Sequence, residues 1–248
     1  MKNKLRKLLR TADFLLEPGV WPYWRTARAR SISSYRICRA VAEYQPSFAT
    51  ILDVGANQGQ FANAAAHRFP SARIWAFEPV PTTVSILRRN VAHLPQVEVL
   101  AVALGASSGR LKFYSSKYSH ASSARSVHPN QLALEPETGE VEEIEVPVST
   151  LDQFMAVRQT AGPVLLKLDV QGFESEVIRG GAAALARIDY LLFEASYVPL
   201  YEGEPLFEEM HALARAHGFT LVGPVGFLED PAHRLLQADL LYRRQAIR

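Results

Sequence analysis

The sequence predicts an α/β fold built on a seven-stranded mixed sheet with helices on both faces, on three observations. From residue 50 onward, apolar β-branched runs alternate with amphipathic stretches of helical period. Glycine-rich turns sit where strands should hand over to helices, as in DVGANQG at 53–59. The last two apolar runs, FTLVGP and DLLYRR, are a natural antiparallel pair. The chain has 248 residues, 48% of them hydrophobic, enough for one large α/β domain.

In order, TILDVG at 50–55 reads as a buried strand and Gln60–Phe69 as a helix with small residues on one side. ARIWAFEP at 72–79 is a second strand. Pro81–Asn90 follows as a helix with proline in its first turn. VEVLAVALG at 97–105 is the third strand. The rhythm then breaks over 106–150, where GRLKFYSS and EVEEIEVPVS flank a Ser/His/Pro-rich segment and predict a hairpin-like insertion. It resumes with PVLLKLDVQG as a strand, Phe173–Arg187 as a helix and IDYLLFEAS as a strand. Glu204–His217 reads as a helix with Gly218 at its C-terminal end, before the final strand pair.

Residues 46–248 are expected to form the main domain and residues 1–45 a basic helical segment. Residues 1–39 carry ten Lys or Arg against Asp13 and Glu17, while the whole chain is only +2. A folded body with net negative charge argues against nucleic acid as the partner. Leu5, Leu8, Leu9, Phe14, Leu15 and Leu16 lie among those charges. The segment therefore reads as an amphipathic helix docked on the domain or on a second subunit of a homo-oligomer. Residues 1–16 offer the alternative of peripheral contact with an anionic membrane face. Charged residues stand where a signal peptide would have its apolar core, and Cys38 has no partner for an internal disulfide, so a cytoplasmic location is expected.

In an open parallel sheet, ligands sit beyond the carboxyl ends of the strands where the strand order reverses. Gly55 and Gly59 would let the first turn approach such a ligand, with Asn57 between them. Glu78, at the end of the second strand and 25 residues after Asp53, stands before Pro79 where a carboxylate would take the hydroxyls of a ribose. The glycine spacing does not match the G-x-G-x-x-G dinucleotide pattern, and there is no P-loop lysine. An acid at Asp53 would repel a diphosphate but suit an ammonium group. A cofactor with a ribose, an amino-acid end and no phosphate meets both conditions, and S-adenosylmethionine has that structure. An NAD- or nucleotide-sugar-dependent enzyme and a non-catalytic module on the same scaffold are the competing readings.

DVGANQGQF, AFEP with its helix, STLDQF, LLKLDVQGFESEVIRGG and LLFEAS together resemble the FkbM-type S-adenosylmethionine-dependent methyltransferases, over about residues 50–222. Lys167–Glu174 is the most specific element; relatives commonly have Glu where this chain has Gln171. The resemblance implies a class I methyltransferase fold, Rossmann-like, and O-methylation of sugar hydroxyls in glycans, glycolipids or natural products.

A sugar hydroxyl is a poor nucleophile, so a base or metal is expected at the strand ends. Asp169 and Glu194 end adjacent strands and are the candidate acids, and Asp169 is the favoured base. Both would instead be metal ligands if the reaction used Mg²⁺ to hold a diol of the acceptor. Lys167 shares a strand face with Asp169 and needs a partner, either Glu174 or Glu194, or a role at the acceptor. Glu174 opens the next helix, where capping competes with an acceptor contact. His120, in the insertion, is a candidate acceptor contact or base, or a plain loop residue. Tyr197 and Tyr201 would stack on a sugar or pack on the next helix.

Overall fold

The computed structural model describes Phe14 and residues 16–17, 19–116, 118–230 and 232–245. Residues 1–13, where most of the proposed membrane-contact segment lies, fall outside the described residues. Among the described residues no helix is long and apolar enough to cross a membrane.

Two short helices, α1 (Val20–Thr26) and α2 (Ile32–Tyr44), precede the sheet. Then follow β1 (Thr50–Val54), α3 (Gln60–Arg68), β2 (Arg73–Phe77), α4 (Pro81–Val91) and β3 (Val97–Leu100). The insertion contains β4 (Ala103–Leu104), β5 (Gly109–Ser116), α5 (Pro129–Leu134) and β6 (Val141–Ser149). The second half runs α6 (Leu151–Ala156), β7 (Val164–Leu168), α7 (Glu174–Arg179), β8 (Tyr190–Ser196), α8 (Phe207–Ala216), β9 (Phe219–Glu229) and β10 (Leu235–Arg244).

The main sheet has seven strands in the order β3-β2-β1-β7-β8-β10-β9. β3, β2, β1, β7 and β8 are parallel, and β10 is antiparallel to both its neighbours. The chain walks outward from β1 to β3, crosses the insertion, and restarts at β7 on the other side of β1. The carboxyl ends of β1 and β7 are therefore the point where the strand order reverses. β4, β6 and β5 make a separate three-stranded sheet.

Alternation along the strands divides the core in two. Ile51, Ile74, Leu165, Leu192 and Leu241 face α1–α4, whereas Leu52, Trp75, Leu166, Phe193 and Tyr242 face α6, α7 and α8. Tyr23 and Tyr35 carry α1 and α2 into the first core, beside His67 of α3. Tyr23 is fully buried, and its hydroxyl accepts from the Ser31 N–H at 2.9 Å.

Three elements depart from expectation. The third strand does not run to Gly105: after Leu100 the chain leaves the main sheet, and Ala103–Leu104 pairs with β6 instead. The helix expected over Phe173–Arg187 stops at Arg179. A side chain at Gly180 would stand 2.0 Å from the Gly105 carbonyl oxygen, so two backbones touch there and the helix gives way to a 3₁₀ turn at Ala184–Arg187. The helix expected from Glu204 begins at Phe207, because the Glu204 carboxylate turns back to accept from the N–H groups of Leu200 and Tyr201. Gly218 closes α8 with φ of 81°, a left-handed conformation suited to glycine.

Tyr23 anchors the N-terminal helices through a filled site, so Tyr23→Ala should destabilise the protein by about 3–5 kcal/mol, the usual cost of emptying an aromatic core position. Denaturant unfolding followed by circular dichroism measures it; a loss within about 0.5 kcal/mol would show that α1 contributes nothing to the folded state.

Candidate functional site

The turn after β1 is shaped by its neighbours before any ligand is considered. Gly55 has φ of 79°, and a side chain there would meet the Asp169 carbonyl oxygen at 1.9 Å. Backbone contact across the switch point, between β1 and the end of β7, therefore requires this glycine. Gly59 is likewise claimed by packing: a Cβ would lie 2.8 Å from Leu87 Cδ1 on α4. The expectation that Gly59 admits a ligand is corrected, since its open side is filled by the helix that follows β2.

A cavity of about 280 Å³ opens beyond the strand ends. Gly55, Asn57, Glu78 and Pro79 line one part, with Phe77, Val102, Ala103, Leu104 and Phe173 as an apolar wall. Ser119, His120, Phe113 and Gln131 from the insertion close another part, opposite Tyr201. A second cavity of about 280 Å³ lies on the α2 side, lined by Ser33, Ser34, Phe61, Lys167 and Asp239. Both are lined by Asp169, Glu194, Leu228 and Gln237, so the carboxylate pair stands at their junction.

Glu78 is held by two backbone donors, Asn57 N–H and Val80 N–H, each at 3.0 Å. Burial still prevails over these bonds and pushes its carboxyl up to about 7. Asn57 adopts φ of 50°, and its buried Oδ1 has no hydrogen-bond partner. A buried acceptor without a donor is rare in a folded protein. That orphaned oxygen, the adjacent carboxylate and the apolar wall fit a nucleoside with free hydroxyls, as S-adenosylmethionine carries.

Lys167 sits directly across from Asp53 in the β1–β7 register. Its Nζ lies 3.0 Å from Asp53 Oδ1 and 3.3 Å from Asp169 Oδ2, and it donates to the Gly55 carbonyl at 3.3 Å. Burial works against the ammonium charge, but Asp169 and Asp53 outweigh it and hold the group above the ordinary lysine range. The expected partners Glu174 and Glu194 are thus replaced by Asp53 and Asp169. Asp53 is corrected too. Its carboxylate is fully buried against Lys167 and does not line the cofactor cavity, so it is not placed to receive an ammonium group of a ligand. Burial raises its pKa, with Lys167 opposing.

Asp169 and Glu194 come together through a residue that the motif reading left unassigned. Gln171 Nε2 donates to Asp169 Oδ1 at 2.7 Å and to Glu194 Oε2 at 3.3 Å. An amide between the two carboxylates takes the space that a shared cation would need. No group of three or more His, Cys, Asp or Glu is placed to hold a metal among the described residues. Burial, then the charges of Asp169 and Asp239, push the Glu194 carboxyl well above the usual range. Asp239, opposite Glu194 in the β8–β10 register, is pushed up to about 6 by burial and then by Asp169. Only the identity of the final strand hinted at Asp239; its neighbour is set by register.

The substrate-side expectations divide. Glu174 is buried and accepts from Val170 N–H at 2.8 Å; it closes the turn after β7 and touches neither cavity. Tyr197 stacks on Phe207 of α8 at 5.1 Å and lines no part of the main cavity. Tyr201 does line it, but its hydroxyl is committed to Gln171 Oε1 at 2.7 Å, so it is a buried strut and not a free stacking platform. His120 lines the cavity from the insertion and pairs with Glu135 at 3.2 Å.

Residues 53–221 match the methyltransferase FkbM domain family. The chain is 30% identical over 160 residues to the 2-O-methyltransferase NoeI of Sinorhizobium fredii, covering 62% of this chain and 66% of that protein. It is 31% identical over 199 residues to the 31-O-demethyl-FK506 methyltransferase FkbM of Streptomyces tacrolimicus, covering 69% and 73%. Identity to the hexuronic acid methyltransferase AglP of Haloferax volcanii is 27% over 159 residues, covering 64% and 60%. The chain thus spans about two thirds of the length of such relatives.

Glu78 and Glu174 both have native pKa values of about 7, above the ordinary carboxyl range, so the protonated native forms are favoured. The stability they contribute is complete below the unfolded value of about 4.5 and is lost as pH rises through about 7. Glu78→Gln cannot ionise and should flatten this decline in the ligand-free protein. Thermal melts across that pH window give the slope; an unaltered slope would mean that Glu78 titrates normally.

Proposed function

The chain belongs to the FkbM methyltransferase family, and from that premise we propose that it transfers a methyl group from S-adenosylmethionine to a hydroxyl of a sugar in a glycan, glycolipid or glycosylated natural product. The names of the relatives support oxygen as the acceptor atom in two cases and an acidic sugar as the acceptor in a third. One observation carries the site assignment. The Asp169 side chain, 42% exposed where Asp53 is sealed at 0%, is presented at the junction of the two cavities.

Bound S-adenosylmethionine supplies an electrophilic methyl group on a sulfonium centre. Glu78 would accept hydrogen bonds from its ribose hydroxyls, and Asn57 Oδ1 would take a further donor. Pro79, Val102, Ala103 and Leu104 would hold its adenine on the apolar part of the wall. On the acceptor side, Asp169 takes the proton of the attacking hydroxyl as its oxygen commits to the new bond. Lys167 keeps one Asp169 oxygen in place and Gln171 the other, so the carboxylate is oriented before the acceptor arrives. Glu194 stands on the neighbouring strand as an acceptor contact. His120 and Ser119, from the insertion, face the same space and are assigned to the acceptor wall. The main domain comprises residues 46–248, with the segment before it docked through α1 and α2.

Asp169→Asn preserves shape and hydrogen-bonding reach but removes the base. It should lower kcat by about 10²–10⁴ while S-adenosylmethionine affinity, read by calorimetry, stays within about twofold. A labelled-methyl assay on glycan and polyol pools supplies the acceptor. Turnover within a few fold of the parent would eliminate Asp169 as the base.

A further inference from the structure

Gln171 enters the proposed reaction only as a contact of Asp169, yet its side chain also reaches Glu194 and Tyr201. It adopts φ of 56°, a left-handed conformation uncommon for a residue with a side chain, and Gly172 follows at 87°. This turn lies hard against the loop that carries Tyr201. A side chain at Gly172 would come within 3.1 Å of Tyr201 Cβ and 3.0 Å of Glu204 Cβ. The backbone pays strain to bring one amide between two carboxylates.

A primary amide has two ends of opposite character: the nitrogen only donates and the oxygen only accepts. With Nε2 toward Asp169 and Glu194, both acids receive a donor; flipped, an oxygen would face two acceptors. The carboxylates settle the choice, and the Tyr201 hydroxyl, which could meet either end of an amide, donates to the remaining Gln171 Oε1 at 2.7 Å. Tyr201 is itself fixed, with its N–H on Glu204 Oε1 at 2.9 Å, and Glu204 Oε2 accepts from Ser196 Oγ at 2.9 Å.

The insertion holds the other side of the same turn. Ser123 Oγ donates to the Gln171 carbonyl at 2.7 Å, and Arg125 Nε donates to the Gly172 carbonyl at 2.7 Å. Arg125 Nη1 reaches the Glu202 carbonyl at 3.1 Å, and Val127 bridges to Tyr201 in antiparallel fashion. Insertion, turn and Tyr201 loop are thereby one hydrogen-bonded body, 48 residues apart in sequence at Ser123 and Gln171.

From this arrangement we infer that Gln171 is a positioning residue for the methyl transfer, an amide clamp anchored by Tyr201 and braced by the insertion, which sets the spacing and direction of the Asp169 and Glu194 carboxylates. The inference rests on the reaction proposed above for its kinetic consequence, but the clamp itself is a property of the ligand-free protein.

Two readouts test it. In the ligand-free protein, the side-chain amide signals of Gln171 in ¹H–¹⁵N spectra, assigned by their loss in Gln171→Glu, should lie away from the free-glutamine position and exchange slowly with solvent. Tyr201→Phe should move them toward that position. In turnover, Tyr201→Phe and Gln171→Met should each lower kcat about tenfold or more, as expected for lost hydrogen bonds to charged groups. The KM for S-adenosylmethionine should stay within about twofold and the melting temperature of Tyr201→Phe near that of the parent. Free-glutamine amide signals in the parent would overturn the clamp. So would a Tyr201→Phe enzyme whose kcat equals that of the parent, or whose KM rises as much as kcat falls. A parent protein that methylates no hydroxyl acceptor would count against the proposed reaction alone, with the amide signals still deciding the clamp.

Discussion

The buried ammonium of Lys167 is the constraint around which the rest of the site is arranged. A lysine in the middle of an apolar strand is tolerated only when its charge is met, and removing one partner of such a group costs more than the pair contributes. Asp53 meets it from β1 and Asp169 from the end of its own strand, with the Gly55 carbonyl as a third contact. These contacts tie β1 to β7 at the point where the strand order reverses. Gly55 must be glycine because the Asp169 carbonyl already occupies the position of a side chain. Ion network and backbone contact are two consequences of the same close approach of β1 and β7.

On that base the acids differentiate by burial. Asp53 is sealed and serves Lys167 alone. Glu78, near the surface of the cavity wall, is held by two N–H groups yet destabilised as an anion, a state that hydroxyl donors from a ribose would relieve. Glu194 and Asp239 face each other in the β8–β10 register; Asp239 raises the proton affinity of Glu194, and Asp169 raises that of both. Asp169 is the acid that keeps both a cationic neighbour and an open side. One sheet edge thus carries carboxylates in different states, set by depth and neighbours and not by residue type.

The insertion links this chemistry to the acceptor side. Its sheet packs Phe113 and Val146 against Val80 and Ala103, which places it on the helix start that also orders Glu78. Its Ser123–Val127 segment is stitched to the turn after β7 and to the Tyr201 loop. The two ends of the cavity are connected through hydrogen bonds to backbone carbonyls, a pattern that composition alone does not announce.

Much was legible without coordinates, because it depends on local chemistry. Alternating apolar runs, proline at the start of α4 and glycine after α8 marked the elements, and Glu78 and Asp169 fell just past strand ends by counting alone, whereas Glu194, expected to end its strand, lies inside β8. The motif at 167–174 pointed to the family that the match over residues 53–221 establishes. What stayed hidden depends on which distant segments meet. Lys167 finds Asp53 because the β1–β7 register sets them opposite, and Glu194 finds Asp239 through the β8–β10 register, although neither pair is close in sequence. Gly59 was read as room for a ligand, but α4 fills it; Tyr197 and Tyr201 looked alike, yet one packs on α8 and the other holds an amide. Periodicity and turn chemistry are properties of neighbours along the chain, so the sequence alone determined the fold class and the end of the sheet where a cavity opens. Partner choice among buried polar groups is a property of the packed sheet, because only close approach in a low-dielectric interior decides which charge or amide each one must satisfy.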